Sequence, residues 1–85
     1  MSDTPEVAIV LIELKKGTAS VALRFGQSNT VQVLDGWEDM TPKDAAKIAV
    51  DIATKKISAE TVAEKSYREV TLPASYWRNI RRQRS

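Results

Sequence analysis

The sequence predicts an α+β fold: a three-stranded antiparallel meander packed against one main helix and followed by short C-terminal helical segments. Three observations carry this prediction. Val7 to Ile12 is an unbroken apolar run rich in Val and Ile, Ala19 to Phe25 alternates between apolar and smaller or polar residues, and Thr41-Pro42 opens a stretch with helical spacing.

The first run turns polar at Lys15-Lys16-Gly17, as a buried strand does where it meets a turn. Its start is expected to be covered on both faces. In the second run Ala19, Val21, Leu23 and Phe25 fall on one face, with Ser20, Ala22 and Arg24 on the other, up to Gly26. Gln27-Ser28-Asn29 is turn chemistry, and Thr30 to Leu34 makes a third β-branched strand that stops at Asp35-Gly36. Short connections between sequential strands predict an antiparallel meander.

Thr41 can cap a helix, Pro42 suits its first position, and Asp44 stands where a capping box returns a bond. The spacing predicts a helix from Pro42 to about Lys56. Ala45, Ile48, Ala49 and Ile52 form its inner stripe, and Ala46, Val50, Ala53 and Ile57 make that stripe wider than one sheet face demands. Ser58 caps a second short helix to about Ser66, with Val62 facing inward. Glu69 to Leu72 is ambiguous between loop and strand, and Pro73 opens a final helix from Ala74 to about Gln83. The expected core is Ile9, Leu11, Val21, Leu23, Phe25, Val33, Ile48, Ile52 and Val62, with Leu23→Ala costing on the order of 2 to 5 kcal/mol.

Eighty-five residues are enough for one domain only. Residues 1–5 read as a flexible leader, 6–73 as a single α+β domain, and 74–85 as a basic C-terminal helix or tail. The absence of Cys and His removes disulfides, thiolate and imidazole nucleophiles and structural zinc, and fits a cytoplasmic location. The first twelve residues lack a basic leader, and their apolar run is too short for a membrane segment. A membrane partner is therefore not expected.

Charge is segregated along the chain. Residues 65–85 carry six basic side chains against the single Glu69, a net +5, whereas the first 64 carry seven basic and ten acidic ones, a net −3. The basic residues of Tyr76-Trp77-Arg78-Asn79-Ile80-Arg81-Arg82-Gln83-Arg84 sit beside two aromatic rings. Arg78, Arg81, Arg82 and Arg84 could meet phosphates while Tyr76 or Trp77 stacks on a base, so nucleic acid or a nucleic-acid-handling protein is the first partner expected. Equally, Trp77 and Ile80 could anchor a terminal helix whose arginines only keep it soluble.

A second reading makes the chain a protein-binding module or inhibitor, of the kind mobile elements and phages carry, that occludes a larger protein through Trp37, Glu38 and Asp39 or through the main helix. The apolar character of Val7 to Ile12 also leaves a homodimer open. A helix-turn-helix over residues 43–66 fails because its turn lacks Gly and its second helix would present Glu60 and Glu64 to the duplex. No catalytic residue is assigned: Asp35, Glu38 and Asp39 form the only dense acidic group and lack calcium-loop spacing, while Gly17, Gly26 and Gly36 stand apart rather than forming a phosphate loop. The expectation is a small non-catalytic binding protein that needs no metal or other cofactor.

Overall fold

The computed structural model describes residues 6–77. The expected meander is present as β1 (Val7–Ile12), β2 (Ser20–Phe25) and β3 (Thr30–Leu34), followed by the helices α1 (Pro42–Ala53) and α2 (Ala59–Glu64). The chain then returns as β4 (Tyr67–Thr71), which makes one antiparallel sheet in the order β1-β2-β3-β4. The class is α+β, with four strands in place of the three expected.

Residues 67–71 escape an apolar-pattern reading because β4 is an edge strand with Arg68 and Glu69 at its centre, and only Val70 is half-buried. Pairing supplies what hydrophobicity does not. Tyr67 lies opposite Leu34 and Thr71 opposite Thr30, whose hydroxyls share a hydrogen bond of 2.8 Å. At the far end of the pair the Asp35 amide donates to the Ser66 carbonyl, closing the long connection through the helices.

Strand pairing sorts the side chains onto two faces. Ile9 opposes Leu23 and Leu11 opposes Val21 on one, while Val10 opposes Ala22 and Val33 lies beyond it on the other. The first face packs under α1 and α2 around Val21, Leu34, Ala45 and Val62. The second is built from Ile12, Ala22, Val31 and Val33 and is covered by Trp77, with Leu14, Val70, Leu72 and Tyr76 at its margin. Both faces of the sheet are therefore apolar, which explains the near-continuous hydrophobicity of β1.

The burial along β1 runs opposite to expectation. Val7 and Ala8 are exposed and Ile12 is fully buried, because α1 and the segment carrying Trp77 both cover the end of the strand and not its start. Of the expected core, Val21 and Val62 are buried on the helical face with Ile9, Leu11, Leu23, Ile48 and Ile52 half-buried against that cluster, and Val33 is buried on the opposite face. Phe25 is only half-buried.

Thr41 Oγ1 accepts the Asp44 amide at 3.2 Å, and Pro42 occupies the first turn, as the capping pattern requires. The helix ends at Ala53, three residues short of Lys56. The Lys55 amide donates to the Ile52 carbonyl at 3.1 Å and the Lys56 amide to the Asp51 carbonyl at 2.8 Å, with Lys55 at φ +67. This is a Schellman closure with a lysine in the left-handed position that usually holds glycine. Lys55→Gly should therefore raise stability by about 0.5–1 kcal/mol, because relief of left-handed strain outweighs the added freedom of the unfolded chain. The midpoint of urea unfolding reads this directly, and an unchanged or lower midpoint would contradict it.

Beyond β3 the chain stays beside β2. The Val21 amide donates to the Trp37 carbonyl at 2.9 Å, and Ala19 and Met40 exchange hydrogen bonds of 2.8 and 2.9 Å. The buried Ser20 accepts the Asp39 amide through its hydroxyl at 2.9 Å, holding Asp39 at φ +53. Residues 35–40 are thus stitched to the sheet on one side.

Candidate functional site

On the helical face, α1 and α2 do not cover the whole sheet. α2 is six residues long, and where it faces the strands it presents Ala59 and Ala63 on either side of Val62, side chains too short to fill the gap. The space left is a cleft of about 470 Å³. Its floor is Val7 and Ile9 of β1, Leu23 and Phe25 of β2, Gln32 and Leu34 of β3, and Tyr67 of β4. Ile52, Ala59, Val62, Ala63 and Lys65 close the helical side. Val7 and Tyr67, each 52% exposed, mark its two rims.

The cleft is apolar apart from the Gln32 amide, the Tyr67 hydroxyl and Lys65. The ammonium of Lys65 donates to the Asp35 carbonyl at 2.9 Å and stands 4.4 Å from the centre of the Trp37 ring, so its methylene stem lines the cleft while its charge is spent on the neighbouring loop. Gly36 permits this approach: it sits at φ +89, and a Cβ there would come within 3.3 Å of the ammonium. What remains to a ligand in the cleft is mainly apolar contact.

The acidic loop is likewise engaged within the molecule. Glu38 lies 3.9 Å from Arg68, and Asp39 lies 3.9 Å from Lys15. These exposed pairs add little stability, yet they place a cation beside each of the two carboxylates. Trp37 is half-buried against the α1 side of the core beneath Lys65, so its ring is not a freestanding anchor.

Tyr76 and Trp77 lie on the opposite face of the sheet. Trp77 is 8% exposed, packed against Ile12, Ala22, Val31 and Val33. The Arg24 guanidinium lies 4.0 Å from the Trp77 ring centre, and Tyr76 meets that ring edge-on at 5.3 Å. Arg24 also donates from Nε to the Ser28 carbonyl at 2.8 Å, and the Tyr76 hydroxyl accepts the Glu13 amide at 3.3 Å. In this position Trp77 is an anchor for the chain, since offering a face to a base would mean leaving the core. Arg78, Arg81, Arg82 and Arg84 lie outside the described residues.

Of the candidate site residues that are described, Trp37, Glu38 and Asp39 lie in the acidic loop and Tyr76 and Trp77 on the second sheet face, and none of these five lines the cleft, whereas Val7 and Ile9 of the first apolar run and Ile52 of the main helix do. Family models, curated proteins and solved structures yield no match to this chain. Among the described residues no cluster of acidic side chains is placed to hold a metal ion, and no helix is long and apolar enough to cross a membrane.

The cleft was missed because nothing in a linear pattern reports how far a helix extends over a sheet. A signal was nevertheless present: Val7, Ile9, Leu23 and Phe25 share one face, and the second helix offers that face one branched residue between two alanines.

Proposed function

We propose that this chain is a small non-catalytic binding protein that receives apolar side chains of a partner protein in the cleft between its sheet and α2. The observation that carries this reading is the cleft itself, about 470 Å³ of apolar lining left open on a domain with little interior to spare, with Val7 and Tyr67 exposed at its rims. Exposed apolar surface of this kind costs solubility and marks interaction sites. The lining pairs no nucleophile with a base, which supports binding over catalysis.

Nucleic acid is the second reading, favoured by one feature, the net +5 carried by residues 65–85. Its support is narrower than the sequence implied. Trp77 is packed in the core, Arg24 is held by Trp77 and Ser28, and Lys65 by the Asp35 carbonyl, so within residues 65–85 this reading draws on the exposed Arg68 and on the four arginines of residues 78–85.

One experiment separates the two. Tagged chain is used to capture partners from nuclease-treated lysate, comparing wild type with Val7→Glu, Tyr67→Glu and the pair Arg81→Glu with Arg82→Glu. Both rim positions are half-exposed, so a charge there is tolerated by the fold but opposes an apolar ligand. The cleft reading expects a stoichiometric protein that survives nuclease, is lost at least tenfold with either rim variant, and is retained by the double arginine variant. Recovery that is indifferent to the rim but abolished by nuclease or by the arginine changes would transfer the function to the C-terminal segment.

A further inference from the structure

The two edges of the sheet are unlike. β4 carries Arg68 and Glu69 along its length, the charged side chains by which native edges discourage pairing. The outer edge of β1 has no such device: Val-Ala-Ile-Val-Leu-Ile contains no charge, Gly or Pro, and among the described residues no strand pairs with it. Its alternation is settled by the hydrogen bond from the Gly26 amide to the Glu6 carbonyl at 2.6 Å. Counting from that pair, Ala8, Val10 and Ile12 direct their backbone groups to β2, and Val7, Ile9 and Leu11 direct theirs outward.

We infer that the outer edge of β1 pairs antiparallel with β1 of a second copy, about a twofold axis at Ile9. Ile9 then faces the partner's Ile9, and Val7 opposes the partner's Leu11, each pair exchanging two main-chain hydrogen bonds. Several features select a second copy as the occupant. The register places the exposed Val7 against an apolar residue, and it sets Glu6 opposite the partner's Ile12, so no like charges meet. Once the two β1 edges are joined, the edges left are two copies of β4, both charged, so assembly closes at a dimer rather than extending as a fibre. Val7 and Ile9 also floor the cleft, so the clefts of the two copies become neighbours across the axis.

Ala8 provides the test, because it is exposed and lies on the face away from the cleft. Ala8→Glu places a carboxylate directly across from Arg24 within the chain, which the fold accommodates, and against the partner's Val10 in the paired edge, which the dimer does not. Sedimentation of the full chain over a concentration series should show twice the 9.5 kDa chain mass for wild type and the single chain mass for the variant. Hydrogen exchange on wild type supplies a second readout. The amides of Val7, Ile9 and Leu11 should gain protection as concentration rises, while those of Ala8, Val10 and Ile12 are protected throughout.

A wild type that stays monomeric to millimolar concentration overturns the inference. So does a dimer that survives Ala8→Glu with the amides of Val7, Ile9 and Leu11 unprotected, since its seam then lies elsewhere. Protection of those amides in a chain that sediments as a monomer also overturns it, by showing that the edge is covered within one chain. None of these outcomes depends on whether the cleft binds a partner.

Discussion

Trp77→Ala should abolish or nearly abolish the folded state. The indole covers the second face of the sheet, where, among the described residues, Ile12, Ala22, Val31 and Val33 have no other buried neighbour of comparable size. Removing a buried Trp costs about 3–5 kcal/mol through lost transfer energy and the void left behind. A domain of this length starts from a total near the lower end of the usual range of about 5–15 kcal/mol. Trp77→Phe should be far milder, below about 1.5 kcal/mol, because an aromatic ring still fills most of the site. Among the described residues the buried indole N–H meets no acceptor, so its removal forfeits no hydrogen bond to them. Part of the stacking with Arg24 is lost, which accounts for the remaining cost. Urea unfolding measures both. A Trp77→Ala chain with the wild-type midpoint would mean that the ring lies outside the core and is available to stack on a base.

Leu34→Ala is the second large loss, on the order of 2 to 5 kcal/mol, and Leu23→Ala should cost about half as much. Leu34 also borders the cleft floor, but it is fully buried beneath α1 and α2 with Val21, Ala45 and Val62 in the same cluster, so truncation strips a full shell of packed contacts. Leu23 is half-buried at the floor of the cleft, where the surroundings are already open and shortening the side chain enlarges an existing space. Pattern alone ranks Leu23 among the core residues and passes over Leu34, the last residue of a short strand. Equal losses at the two positions, or a larger one at Leu23, would show that the cleft is closed in solution.

The contrast shows what the sequence could convey. Alternation from Ala19 to Phe25 defines β2, and Thr41-Pro42 with Asp44 defines the start of α1, because each is a local rule whose energy is realised within a few residues. The end of α1 is less legible, since Lys55 adopts a conformation that a glycine would have announced. β4 is illegible by composition because an edge strand draws its order from backbone pairing and guards itself with charge.

The second sheet face shows the same limit at longer range. Val10, Ile12, Ala22, Val31 and Val33 are apolar on the side away from the helices, and only the return of Trp77 from the far end of the described chain accounts for them. Tyr76 and Trp77 attracted a functional reading by standing next to arginines in sequence. Their neighbours in space are β-strand side chains, and that proximity depends on the turn at Pro73, where the Leu72 amide bonds the Asn29 carbonyl and the chain folds back.

The open, apolar cleft between the sheet and α2 is the proposed binding surface of this protein. Its most direct test is a titration of the folded chain with 1-anilinonaphthalene-8-sulfonate, followed by the methyl resonances of its Val, Leu, Ile and Ala side chains. The account predicts saturable binding, with shifts confined to the residues that line the cleft, Val7, Ile9, Leu23, Val62 and Ala63 foremost, and with Val10, Val31 and Val70 on the opposite face unmoved. Shifts centred on that opposite face, or no saturable binding by a folded chain, would contradict it.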